Sequence, residues 1–171
     1  MAADPVGDWL VKDGYAHIRI DNCAGKMWGI VAWEKSPGAV DDQNPDPTKK
    51  NRPVLGMPIL LGMKPTKPNL WEGEIYNSNN GKIYESSISM VDDSTLKLQG
   101  CLTKFFGDLM CGGENWTRVI PPAPPPPQPN TRAKGPAMAK GAPAASPQSD
   151  VCARVAEQTA PAGAAPAKQV K

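Results

Sequence analysis

Histidine occurs only once in the 171 residues, as His17, and there is no Cys-x-x-Cys pair. That leaves too few ligands at metal-binding spacing for a zinc site. No Gly-x-Ser-x-Gly, no Cys/His arrangement and no Gly-rich phosphate loop appears, so the common nucleophile and nucleotide motifs are missing. No run of about 20 apolar residues exists, which excludes a helical membrane span. The formal net charge is only +2, with the cations scattered, so there is no basic footprint for nucleic acid. Helical periodicity is nearly absent from residues 1–120. Aromatics are absent from 121–171, which hold 12 of the 20 Pro and 14 Ala, and such a stretch cannot build a core of its own. Two globular domains are therefore excluded.

Residues 1–120 hold all five Trp, all three Tyr and both Phe. Alternation and turn residues recur there at close to the spacing of small all-β domains. Eight short strands are expected: Trp9–Val11, Tyr15–Ile20, Lys26–Glu34, Gly56–Met63, Leu70–Asn77, Ile83–Val91, Thr95–Cys101 and Asn115–Ile120. Asn80-Gly81 supplies a tight hairpin turn. Gly107–Gly113 reads as a loop. Eight strands joined mostly by short turns predict an up-and-down barrel, whose closure leaves no sheet edge exposed. The division is then a short N-terminus at 1–6 (mature end or expression remnant), a barrel over 7–120, and a disordered Pro/Ala-rich tail over 121–171.

Two stretches depart from this pattern. Lys35–Pro53 holds four prolines and no strand pattern, and loops this long are often lids or binding loops. In the tail, Pro121–Pro129 predicts a polyproline II rod. Ser149–Glu157 carries Val151, Cys152 and Val155 on one side of a short helix that is too short to persist alone. On this reading the tail is dispensable for folding.

Cys23, Cys101, Cys111 and Cys152 lack metal spacing, which fits an oxidising compartment. A hairpin between the last two strands brings Cys101 and Cys111 together as a disulfide. Cys23 is then free or bonded to Cys152, and a pairing of Cys23 with Cys101 or Cys111 is the alternative. The first five residues read like the flank of a small-residue cleavage site. The expected location is periplasmic or secreted, with the signal peptide missing from this sequence.

Three stretches together resemble a known family. They are Ile20–Trp33, then Asp42–Pro47 leading to Arg52-Pro-Val-Leu-Gly56. The third is Trp71-Glu-Gly-Glu-Ile-Tyr76 with Gly81–Tyr84, Gly100-Cys101, Cys111 and Trp116-Thr-Arg118. They are similar to the uncharacterised proteobacterial family called domain of unknown function 2147. The resemblance covers about residues 7–120 and implies an exported, lipocalin-like barrel without an assigned activity. The sequence departs from that pattern at Trp28, where the family often has a second Cys. Gly7-Asp8-Trp9 matches the Gly-x-Trp that opens a lipocalin barrel, and Arg118 matches the Arg that lies over that Trp. A guanidinium stacked on an indole closes the barrel's base.

No residue set supports catalysis, and the chain is read as non-enzymatic, without cofactor or metal. His17 alternates with Tyr15 and Arg19 on a solvent-facing strand side, and Glu72 and Glu74 lie on another. Asp42, Asn44 and Asp46 have calcium-loop spacing, but Pro47 and Pro53 stand where an EF-hand needs Gly and Glu. Arg52 is expected to pair with Asp42 or Asp46, or to meet an anionic head at the barrel rim. The expected pocket is gated by Lys35–Pro53. Its lining is Trp33, Met57, Leu61, Met63, Trp71, Tyr84, Ile88, Met90, Leu96 and Leu98, soft and aromatic side chains that suit a variable apolar ligand. The expected partner is a small apolar or amphipathic molecule, with fatty acids or lipids as candidates. The alternative is a structural or interaction module of the cell envelope, with a filled barrel and a partner-binding Pro-rich tail.

Overall fold

The computed structural model describes residues 4–103, 109–120 and 147–159, with side chains described over 4–100, 112–120 and 151–159. The strands are β1 (Gly7–Leu10), β2 (Ala16–Cys23), β3 (Lys26–Glu34), β4 (Pro58–Lys67), β5 (Leu70–Asn77), β6 (Lys82–Asp92), β7 (Thr95–Thr103) and β8 (Leu109–Arg118), followed by α1 (Pro147–Thr159). Each strand pairs antiparallel with the next, and β8 returns to β1, so the sheet is a closed eight-stranded barrel. All eight expected strands form, with the largest shifts in β4, which runs on from Met63 to Lys67, and in β8. The expected loop at Gly107–Gly113 gives way at Leu109, where β8 already begins, and this register sets Cys101 directly opposite Cys111. The side chains of those two cysteines lie outside the described residues, as does the expected polyproline rod.

Strict alternation directs the inward faces of β6 and β7. Ser86, Ile88 and Met90 are buried, as are Leu96 and Leu98, while Glu85, Lys97 and Gln99 are exposed. On β2, Ala16, Ile18 and Ile20 point inward with Trp9 and Val11. The strand ends then fall into two sets. The turns β2–β3, β4–β5 and β6–β7 lie at one end with the N-terminus. The turns β1–β2 and β5–β6 lie at the other end with the long β3–β4 connection. The turn expected at Asn80-Gly81 spans four residues, 78–81, with Gly81 supplying the positive φ (70°).

The first end is sealed. Trp9 is fully buried, and its indole N–H donates to the Pro5 carbonyl at 2.8 Å. The Arg118 guanidinium lies 4.3 Å from the Trp9 ring centroid. It donates to the carbonyls of Asp93 (2.7 Å), Val6 (2.9 Å) and Asp4 (2.8 Å). Gly7 has a φ of 139°, which L side chains rarely adopt, and a Cβ there would also stand 2.6 Å from Arg118 Nη1. The glycine and the tryptophan of Gly7-Asp8-Trp9 are thus both shaped by the same arginine. Asn69, with φ of 60°, spans the same end by exchanging hydrogen bonds with the Met90 backbone at 2.7 and 3.0 Å.

Within the stretch that composition assigns to a disordered tail, residues 147–159 are an exception. The short helix forms and does not stand alone. Val151 and Val155 are buried against Ile30 on the outside of β3, flanked by Cys23 and Trp28. Cys152 is disulfide-bonded to Cys23. At its C-terminal end Gln158 accepts from Arg52 (3.1 Å) and donates to the Gly56 carbonyl (3.3 Å). This docking bears against the expectation that the whole tail is dispensable for folding. A segment too short to hold a helix by itself is held by a covalent bond and by apolar contact with the barrel's outer wall.

Candidate functional site

The barrel interior divides along its axis. Towards the sealed end Met63, Trp71, Ile88, Met90 and Leu96 join one packed cluster with Trp9, Ile18, Ile20 and Leu60. Towards the other end the packing opens into a cavity of about 300 Å³. Its walls include Val11, Ala16, Ile18, Val31, Ile59, Ile75, Tyr84, Leu98 and Trp116, with Tyr15, Glu34 and Glu114 also lining it. An apolar cavity of about 150 Å³ holds benzene, so this one has room for a two-ring or short-chain body.

The expected pocket residues separate into three groups. Tyr84 and Leu98 line the cavity. Met63, Trp71, Ile88, Met90 and Leu96 fill the barrel beneath it, and Met57 is fully buried just before β4. Trp33, Leu61 and Arg52 are corrections, because all three stand away from the cavity lining. Ala32 is an extra residue between Val31, opposite Ile18, and Trp33, opposite His17. That bulge turns Trp33 onto the side of His17, whose ring centroid is 4.5 Å away, and brings Glu34 to the cavity. Leu61 pairs with the exposed Glu74 and lies in an outer groove with Pro58, Ile83 and Gln158.

Arg52 is committed to structure rather than to a ligand at the rim. It pairs with Asp41, not with Asp42 or Asp46, at 2.9 and 3.0 Å. It also lies 5.6 Å from the Tyr76 ring centroid. Asp41 is fully buried and accepts further bonds from Tyr76 Oη (2.6 Å) and Asn44 Nδ2 (2.7 Å). Burial, then the Asp41 carboxylate, pushes the Tyr76 phenol up to about 12. The Lys35–Pro53 connection is therefore pinned to the outside of β5. It includes a bridge between Val40 and Pro53 and a 3-10 turn at Pro47–Lys49, where Asp46 caps Thr48. Beyond it Val54 reaches the cavity wall.

Among the described residues the polar groups that line the cavity are acidic or neutral. Glu34 Oε2, at the cavity, and Ser86 Oγ, lower on the inward face of β6, are buried without hydrogen-bond partners among the described residues. Burial raises the Glu34 pKa. Glu114 accepts from the Trp116 indole N–H. Burial, then the charges of Glu114 and Asp13, raise the Tyr15 pKa. Spacing from Arg118 carries a signal for Glu114 and Trp116, since residues at even intervals along β8 share its inward face. No cluster of three or more His, Cys, Asp or Glu at metal-binding distance occurs among the described residues.

Comparisons with known proteins give a family and a similar fold. The model of a family described as "Uncharacterized protein conserved in bacteria (DUF2147)" matches residues 7–118. A solved structure described as "Protein HP1028 from the human pathogen Helicobacter pylori belongs to the lipocalin family" is similar, with a TM-score of 0.61 at 18% identity. The match covers 69% of this chain and 84% of that one. No curated protein matches the chain.

Proposed function

The chain belongs to the bacterial DUF2147 family, and from that premise we propose that it binds a small apolar or amphipathic molecule inside its lipocalin-like barrel, without catalysis. The observation that carries this reading is the cavity of about 300 Å³, open towards the mouth among the described residues and walled mostly by apolar side chains above a packed floor. Its volume is at the lower end of the range for small-molecule sites, about 300–1,000 Å³. A longer acyl chain would have to leave part of its length outside. The disulfide between Cys23 and Cys152 supports a periplasmic or secreted location.

The test is a titration with the neutral fluorophore N-phenyl-1-naphthylamine, read by probe emission and by quenching of the cavity-lining Trp116. One saturable site is expected in the native protein, and Ala16→Phe, which fills the cavity from β2, is expected to abolish it. Absence of saturable binding would overturn the reading in favour of a filled structural module.

A further inference from the structure

We propose, resting on that reading, that the ligand carries a cationic head, a primary ammonium on a compact apolar body, received by Glu34 and Glu114 at the cavity mouth. Three independent observations converge on this charge.

The first is the sign of the lining. Among the described residues, the two acidic side chains that line the cavity are Glu34 and Glu114, and no cationic side chain lines it. The nearby cation expected to greet an anion, Arg52, is instead bound to Asp41, Tyr76 and Gln158. An anionic head would thus be placed beside two like charges, which is unfavourable at short range in a partly desolvated site.

The second is unmet hydrogen-bonding capacity. Glu34 Oε2 has no donor, and Ser86, only 7% exposed, has an unpartnered hydroxyl. Ser86 lies between cavity-lining Tyr84 and buried Ile88 on the inward face of β6. Buried polar atoms in folded proteins are nearly always partnered, so the open Glu34 oxygen marks a place at the cavity where a donor belongs, while Ser86 lies beneath the lining and lacks a partner of either kind among the described residues. A primary ammonium supplies donors and no acceptor, which suits an acceptor-only carboxylate.

The third is aromatic. Tyr15, Tyr84 and Trp116 line the same cavity, and Glu114 is close enough to Tyr15 for its charge to shift the phenol. Glu34 stands in register opposite Ala16, the residue after Tyr15. Ring faces together with carboxylates are the chemistry that recognises ammonium groups.

The experiment compares three molecules of one shape by isothermal titration: 4-phenylbutylamine, 4-phenylbutanol and 4-phenylbutyrate. At neutral pH the amine is expected to bind about tenfold more tightly than the alcohol, and the carboxylate more weakly than either. The Glu34→Gln, Glu114→Gln double variant is expected to lose the preference for the amine. Its retained affinity for the alcohol reports that the cavity is intact. Equal affinities across the series, or a preference that survives the double variant, would overturn the charge assignment and leave the ligand-binding reading standing. Failure of all three molecules and of N-phenyl-1-naphthylamine would overturn both.

Discussion

The two ends of this barrel are built from similar side chains and differ in what is left unpaired. At the sealed end a cation, Arg118, covers an indole and spends its donors on three carbonyls. At the mouth an indole, Trp116, donates to Glu114 while Glu34 keeps a carboxylate oxygen without a donor. One end is saturated and closed by the chain itself. The other holds a cavity and an unmet acceptor. In physical terms stability is concentrated at the first, and capacity for a ligand at the second.

The sharpest way to break this contrast is at the sealed end. Trp9→Ala is expected to cost about 3–5 kcal/mol, as for other buried aromatics, and to lower Tm by many degrees. A melt within a few degrees of the native protein would show that the seal contributes little. Next comes the helix that braces the outer wall. Its disulfide closes a loop with a sequence separation of 129 residues. Chain entropy assigns such a closure up to about 5 kcal/mol, and measured losses are typically about 2–4 kcal/mol. Cys152→Ser should therefore show a clear loss in denaturant titration, and ending the chain at Ile120 at least as much. Non-reducing peptide mapping is expected to return the Cys23–Cys152 peptide, and a pairing of Cys101 with Cys111 beside it.

The mouth half predicts smaller effects with a pH signature. Burial holds the His17 pKa below its usual 6.5, with the Asp8 carboxylate opposing in part. Because the folded pKa is the lower one, the stability from neutral His17 is complete above 6.5 and is lost as pH falls through 6.5 towards the folded value. His17→Phe, which keeps a ring against Trp33, is expected to flatten that acid limb in a series of melts. The smallest effect should be a gain. Burial raises the Glu34 pKa above its ordinary 4.5, so the ionised group costs the folded state stability at neutral pH and stops doing so on acidification. Glu34→Gln is expected to raise Tm at neutral pH by on the order of a few degrees. A loss instead would mean that Glu34 is already satisfied.

How far these features could be read from sequence depended on regularity. β6 and β7 alternate without interruption from Tyr84 to Met90 and from Leu96 to Leu98, and their inward residues were legible. β3 and β4 were not, because extra residues at Ala32 and in β4 shift the faces, and a bulge leaves no mark on an apolar run. Trp33 and Leu61 were misplaced for that reason. The helix site was legible in pieces. Cys23, outward-facing Ile30 and the trio Val151, Cys152 and Val155 are each visible, but only the closed barrel brings them together. Asp41 had no sequence signal beyond being one of several loop carboxylates, since its partners Tyr76 and Arg52 are set by the β5 register.

The Cys23–Cys152 bond also changes the topology of the molecule. From Cys23 onward through the barrel to Cys152 the polypeptide is a covalent ring with two short ends. A protease cut at a single site between residues 121 and 146 opens that ring without separating the pieces. The helix stays attached to the wall it braces, and only a reductant frees it. In an oxidising compartment the protein is thus indifferent to one nick in its connecting segment, and its intactness there is a matter of redox state more than of chain continuity.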